Sequence, residues 1–114
     1  MIQRLTDILK NKPLTLYNEK TLQMEIAMLL QSNQIEHERE VVLEKGSVID
    51  FLIDGVGIEI KIKGNKSSIF RQCKRYCKND KINQLILVTN KAMGLPAEIE
   101  GKPCYILNLG ESWL

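Results

Sequence analysis

The 114-residue chain has little of what anchors several common kinds of site. It holds three cysteines, an odd number, and no Cys-x-x-Cys spacing. That gives no disulfide framework, fits a reducing compartment and argues against a zinc or iron–sulfur centre. Cys73 and Cys77 fall four apart on an apolar helix face and read as buried thiols. There is one histidine, His37, which reads as an edge or surface residue rather than a general base. No apolar run is long enough to span a bilayer. The opening MIQRLTDILK is amphipathic and charged, unlike a signal peptide, so a cytoplasmic protein with no membrane contact is expected. There is no internal repeat, linker or low-complexity segment, and the length suits one domain over residues 1–114.

Charge is present but segregated. The net charge is only +2. Yet residues 61–81 carry eight bases (Lys61, Lys63, Lys66, Arg71, Lys74, Arg75, Lys78 and Lys81) against one acid, Asp80. Residues 19–59 carry nine acids against three bases. A basic face beside an acidic cluster suits a polyanion held next to a cation. The plainer alternative is a solvated helix face.

The acidic part centres on VIDFLIDGVGIEIKIK, residues 48–63. Two β-branched, apolar runs flank Asp54-Gly55, a strong two-residue turn signal, so the stretch predicts a hairpin. The turn pairs Ile53 with Val56, Leu52 with Gly57, Phe51 with Ile58 and Asp50 with Glu59. Asp50 and Glu59 are then expected opposite one another on one face, with Lys61 beside them. Opposed carboxylates repel unless a cation joins them. Two hard carboxylates suit Mg²⁺, with Mn²⁺ as a substitute, and an ammonium nearby suits phosphodiester hydrolysis. The alternative is an exposed hairpin with a solvated charged face.

Asp50, then Glu59-Ile60-Lys61 after a short hairpin, resembles the core of the PD-(D/E)XK nuclease superfamily. Gln72 to Tyr76 matches the Gln-x-x-x-Tyr helix motif of its exonuclease-type members. The resemblance covers roughly residues 18–90. One departure is Ile49, which stands where the family name has proline. The resemblance implies that Asp50, Glu59 and the Ile60 carbonyl hold the metal. It implies that Lys61 positions the attacking water and that a first-helix glutamate, Glu19, supports the site, with Glu25 as the fallback. It further implies that Gln72 and Tyr76 line the site. The macrodipole offers Glu19 another role, at the helix N-terminus. Glu40 is a further carboxylate within reach of the metal from the first strand.

The remaining chain predicts short elements. Residues 2–11 form an amphipathic helix stopped before Pro13, packed on the domain or on a second subunit. Asn18 caps a helix over 19–32, with Leu22, Ile26, Leu29 and Leu30 as its stripe. Residues 35–44 predict a strand with Ile35, His37, Arg39, Val41 and Leu43 on one face. Ser67 or Ser68 is expected to cap a helix over 69–79. Its outer side carries Arg71, Lys74, Arg75 and Lys78, which with Lys63, Lys66 and Tyr76 are candidate nucleic-acid contacts. QLILVT, 84–89, predicts a doubly covered strand joined to the hairpin by a parallel crossover. Residues 91–103 predict a loop or a short helical turn and 104–109 a last strand. Trp113 and Leu114 predict a docked terminus.

The expected fold is α/β, a restriction-endonuclease-like mixed sheet flanked by helices in the order ααβββαββ. The expected function is Mg²⁺-dependent hydrolysis of DNA, branched DNA included, without a small-molecule cofactor. So small a chain is expected to work as a homodimer or with a partner. The alternative is a nuclease-fold protein that binds nucleic acid or regulates without cutting.

Overall fold

The computed structural model describes residues 1–10, 14–15 and 18–109. Its elements are α1 (Ile2–Lys10), α2 (Glu19–Ser32), β1 (Glu38–Glu44), β2 (Ser47–Ile53), β3 (Val56–Lys61), α3 (Lys66–Cys77), β4 (Gln84–Thr89), β5 (Glu98–Ile99) and β6 (Lys102–Asn108). The strands form one mixed sheet in the order β1-β2-β3-β4-β6-β5. β1–β2 and β2–β3 are antiparallel, while β3–β4 and β4–β6 are parallel. The chain is therefore α/β. Among the described residues no helix is long and apolar enough to cross a membrane. Pro13, Trp113 and Leu114, read above as a helix stop and a docked terminus, lie outside the described residues.

Local chemistry accounts for most elements. Asn18 Oδ1 accepts from the Thr21 amide and starts α2, as expected of an N-cap. Leu22, Ile26 and Leu30 then recur one turn apart and are fully buried against one face of the sheet. Leu5 and Leu9 of α1 join the same cluster, so α1 packs on its own domain. Each such leucine contributes roughly 1.5–3 kcal/mol of burial. α3 covers the opposite face through Ile69, Cys73, Tyr76 and Cys77. Its cap is Asn65, whose Oδ1 accepts from the Ser68 amide, and not Ser67 or Ser68. An amide oxygen three residues ahead of that N–H outcompetes a serine already inside the turn.

β3, α3 and β4 form the parallel crossover, and β4 is covered on both faces. Ile86 and Val88 enter one cluster; Leu85 and Leu87 enter the other. The segment expected to be loop contains β5. Glu100 and Gly101 both take positive φ, 53° and 75°, and close a short hairpin with β6. That is the geometry of a tight two-residue turn.

The main departure from regular geometry lies in β1 and β2. Arg39 pairs with Phe51, and Val41 with Ile49, so the register is continuous from Glu38 to Val42 and shifts between Val42 and Glu44. The faces are not continuous. Phe51 and Ile53 lie in the cluster under α1 and α2, whereas Ile49 lies in the cluster under α3. Likewise His37 and Arg39 contact Phe51, whereas Val41 and Leu43 pack toward α3. Both strands exchange faces at the rung of Glu40 and Asp50. Glu40 takes φ 51°, a left-handed value rare for a side-chain-bearing residue. The expected single-face stripe from Ile35 to Leu43 is therefore wrong: one left-handed residue reverses the alternation on which it rested. Gly57 makes room for the exchange. A Cβ there would meet Ile49 Cδ1 at 2.5 Å and Ile82 Cδ1 at 2.8 Å.

Candidate metal centre and nucleic-acid cleft

The hairpin turn forms as its sequence demands, with φ 47° at Asp54 and 78° at Gly55. Ile53–Val56, Leu52–Gly57 and Phe51–Ile58 pair in the expected register. The next rung opens. Instead of a regular Asp50–Glu59 pair, side chains replace the ladder. The Asp50 amide donates to Glu59 Oε1 over 3.2 Å, and the Ile60 amide donates to Asp50 Oδ2 over 2.8 Å.

The two carboxylates meet in the gap between the strands, each oriented by a different helix, rather than standing side by side on one face as the regular register implied. Asp50 leans toward α2, where Gln23 Nε2 donates to its Oδ1 over 3.0 Å. Glu59 points toward α3, where the Tyr76 hydroxyl lies 2.8 Å from its Oε2. The face exchange in β2 causes the difference. Lys61 keeps its expected place beside Glu59, with Nζ 3.9 Å from Oε2.

Burial and proximity raise both acids. The Asp50 carboxyl lies above its ordinary range, chiefly through burial. Glu59, 3% exposed, is pushed up to about 8 by burial and then by the Asp50 charge. Hydrogen-bond counting agrees. The Tyr76 oxygen accepts from Gln72 Nε2 at 2.7 Å and lies 2.8 Å from both the Val48 carbonyl and Glu59. Tyrosine has one proton to give, and a carbonyl can only accept. That proton is shared between the Val48 carbonyl and Glu59 Oε2 unless Glu59 is itself protonated. Both shifts favour the protonated acids, and a bound divalent cation would act in the opposite direction.

Glu19 lies at the start of α2, and its Oε1 accepts from the Ile62 and Lys63 amides at 2.8 and 3.1 Å. It therefore fastens α2 to the strand end that carries Lys61, and it lines the same cleft as Asp50 and Ile60. Glu25 does not line that cleft. Its carboxylate accepts from the amide and hydroxyl of Thr15. Glu40 lines the cleft as an exposed residue. Among the described residues no three His, Cys, Asp or Glu side chains gather as a metal-holding group. Mg²⁺ is commonly held by one or two carboxylates plus waters and substrate phosphate, so Asp50 and Glu59 with a backbone oxygen at Ile60 remain a fitting donor set.

Gln72 is half-buried and Tyr76 fully buried, so the motif's tyrosine braces Glu59 from the core and presents no ring at the surface. Lys63, Lys66, Lys74 and Arg75 are exposed. Arg71 folds back onto Ser67 and Ser68, and Lys78 stands 3.9 Å from Glu100, at the end of α3 farther from Lys61. Cys73, Cys77 and Cys104 are buried free thiols. Burial pushes Cys73 and Cys77 up to about 12, which leaves them unreactive.

Gln23 is not among the residues the motif singles out. Its signal was its place one turn after Glu19, on the same helix face. The cleft of about 660 Å³ beside it is lined by Glu19, Lys20, Gln23, Met24, Arg39, Glu40, Asp50 and Ile60. A larger one, about 790 Å³, runs beside Gln34, His37 and Asp54 and does not include Asp50. No family model, curated protein or solved structure matches the chain.

Proposed function

We propose that the protein is a Mg²⁺-dependent nuclease acting on DNA, built on a restriction-endonuclease-like core. One observation carries the reading: Asp50, Glu59 and Lys61 converge at a break in the β2–β3 ladder, and Gln72 and Tyr76 brace Glu59 from behind. An ordinary solvated hairpin has no cause to bury an acid beside a second acid.

Asp50 and Glu59 would hold the ion, with the Ile60 carbonyl assisting. When bound, Mg²⁺ supplies charge neutralisation at the phosphate and acidifies water. The other roles belong to the chain. Lys61 orients the attacking water and offsets charge on the scissile phosphate. Gln23 holds Asp50, and Tyr76 with Gln72 holds Glu59. Glu19 fixes the strand end on which Lys61 is mounted. The exposed bases Lys63, Lys66, Lys74 and Arg75 supply long-range attraction to the polyanion.

The test is cleavage of branched, nicked, linear and single-stranded DNA in Mg²⁺, Mn²⁺ and Ca²⁺. Cleavage in Mg²⁺ and Mn²⁺ with binding but no cleavage in Ca²⁺ is expected, because Ca²⁺ takes oxygen ligands at longer, looser distances. Absence of cleavage of every substrate in Mg²⁺ and Mn²⁺ overturns the proposal.

A further inference from the structure

The sequence draws attention to the basic side of α3. The cleft that contains Asp50 lies on the other face of the sheet, between α2 and the bend of β1 and β2. Two cations line it, Lys20 from α2 and Arg39 from β1. Arg39 is held in place. Its Nη2 donates to Gln23 Oε1 over 2.7 Å, and its guanidinium carbon lies 5.8 Å from the centre of the Phe51 ring.

The orientation of the Gln23 amide follows from its neighbours. A guanidinium can only donate and a carboxylate can only accept, so Oε1 must face Arg39 and Nε2 must face Asp50. A single amide thus ties a phosphate-matching cation to a metal-ligating carboxylate, at 2.7 Å on one side and 3.0 Å on the other. Guanidinium offers five N–H donors in a planar fork suited to phosphate, and Gln23 takes one.

The acids of the cleft decide when a phosphate can enter. Glu19, Glu40 and Asp50 outnumber Lys20 and Arg39. The lining thus carries one more acid than base, a balance that a divalent cation would reverse.

We propose that Lys20 and Arg39 form the phosphate subsite for the strand being cut, so that the DNA backbone runs over α2 and the β1–β2 bend, and that this subsite engages only with a divalent cation present. This rests on the nuclease reading and assigns the substrate path within it. Arg39 and Lys20 touch the backbone of the substrate. Gln23 is a positioning residue that couples that contact to Asp50.

The experiment measures DNA binding by the full chain in Ca²⁺ and in EDTA, over a range of salt. Wild type is expected to bind more tightly in Ca²⁺. Each lost phosphate contact removes about 0.9 from the slope of log K against log salt on duplex DNA. Lys20→Gln with Arg39→Gln should therefore flatten the slope in Ca²⁺ by about 1.8 and abolish most of the gain over EDTA. Lys20→Gln alone should remove about half of that change, which covers failure of the double variant to fold. The charge-matched control, Lys45→Gln with Lys81→Gln, should keep the gain. If the double variant is folded and keeps the gain, or if Lys74→Gln with Arg75→Gln abolishes it instead, the path is wrong while the nuclease reading stands. If wild type gains nothing from Ca²⁺ on any DNA, both fail.

Discussion

Tyr76 of α3 and Glu59 of β3 share a 2.8 Å contact inside the core, and Tyr76 stands equally close to the Val48 carbonyl. One hydroxyl therefore joins the helix to both strands of the hairpin. Tyr76→Phe keeps the ring and deletes this junction. It leaves the Val48 carbonyl and the Glu59 carboxyl each short of a partner. A loss of about 1–3 kcal/mol is expected in urea unfolding, with cleavage reduced. Unchanged stability would mean that the junction contributes nothing.

The raised acids predict a pH dependence for the metal-free protein. Glu59 has an ordinary value of 4.5 and a folded value of about 8. Between these the folded state binds more protons than the unfolded one. Stability is then full below about 4.5 and falls as pH rises through about 8. Asp50, shifted in the same direction, adds to the trend. Urea midpoints in EDTA at pH 5.5 and 8.5 measure it. Glu59→Gln should flatten the profile, and Mg²⁺ should stabilise the wild type more at the higher pH.

Lys61→Ala should lower turnover by orders of magnitude and leave metal affinity nearly intact. The ammonium is 3.9 Å from Glu59 Oε2, a contact too long to anchor the acid. Calorimetry with Mn²⁺ beside cleavage rates separates the two effects. Equal loss of both would contradict the assigned role.

Asp50→Asn is informative because both Asp50 oxygens accept, one from Gln23 and one from the Ile60 amide. Asparagine offers only one acceptor oxygen, and Arg39 already holds the Gln23 oxygen. Above about pH 8, where Glu59 gives up its proton, relief of repulsion offsets one lost hydrogen bond, each about 1 kcal/mol or less. Metal-free stability there should change little, while the gain in Tm on adding Mg²⁺ disappears and cleavage collapses. An equal Mg²⁺ shift in wild type and variant would refute a metal site at this hairpin.

Glu19→Gln keeps an acceptor for the Ile62 and Lys63 amides, so the fold should persist. Its charge is gone, and cleavage should fall if that charge supports the site. Glu19→Ala should in addition lower Tm. Unaltered cleavage in Glu19→Gln would reduce Glu19 to a fastening role.

The legible parts of the sequence were those with a local cause. Asp54-Gly55 sets the turn and hence three rungs of register. The Asn18 cap, the α2 stripe and the apolar QLILVT strand also formed as read. What escaped depends on distant partners. The left-handed Glu40 has no glycine or asparagine to announce it, so the reversal of faces could not be seen. The Gln23 contacts span 16 and 27 residues, and no helical pattern specifies what waits on the sheet.

The exchange of faces at Glu40 and Asp50 also bears on how the molecule comes apart. A sheet with separate apolar layers on its two faces could melt one layer at a time. Here β2 sends Phe51 and Ile53 into one layer and Ile49 into the other, and β1 lays the exposed Arg39 near Phe51 while Val41 packs against the other layer. Neither layer can loosen without pulling on strands the other needs. Cooperative, single-step unfolding follows, and the slowest amides to exchange with heavy water should cluster at the rungs beside the crossing.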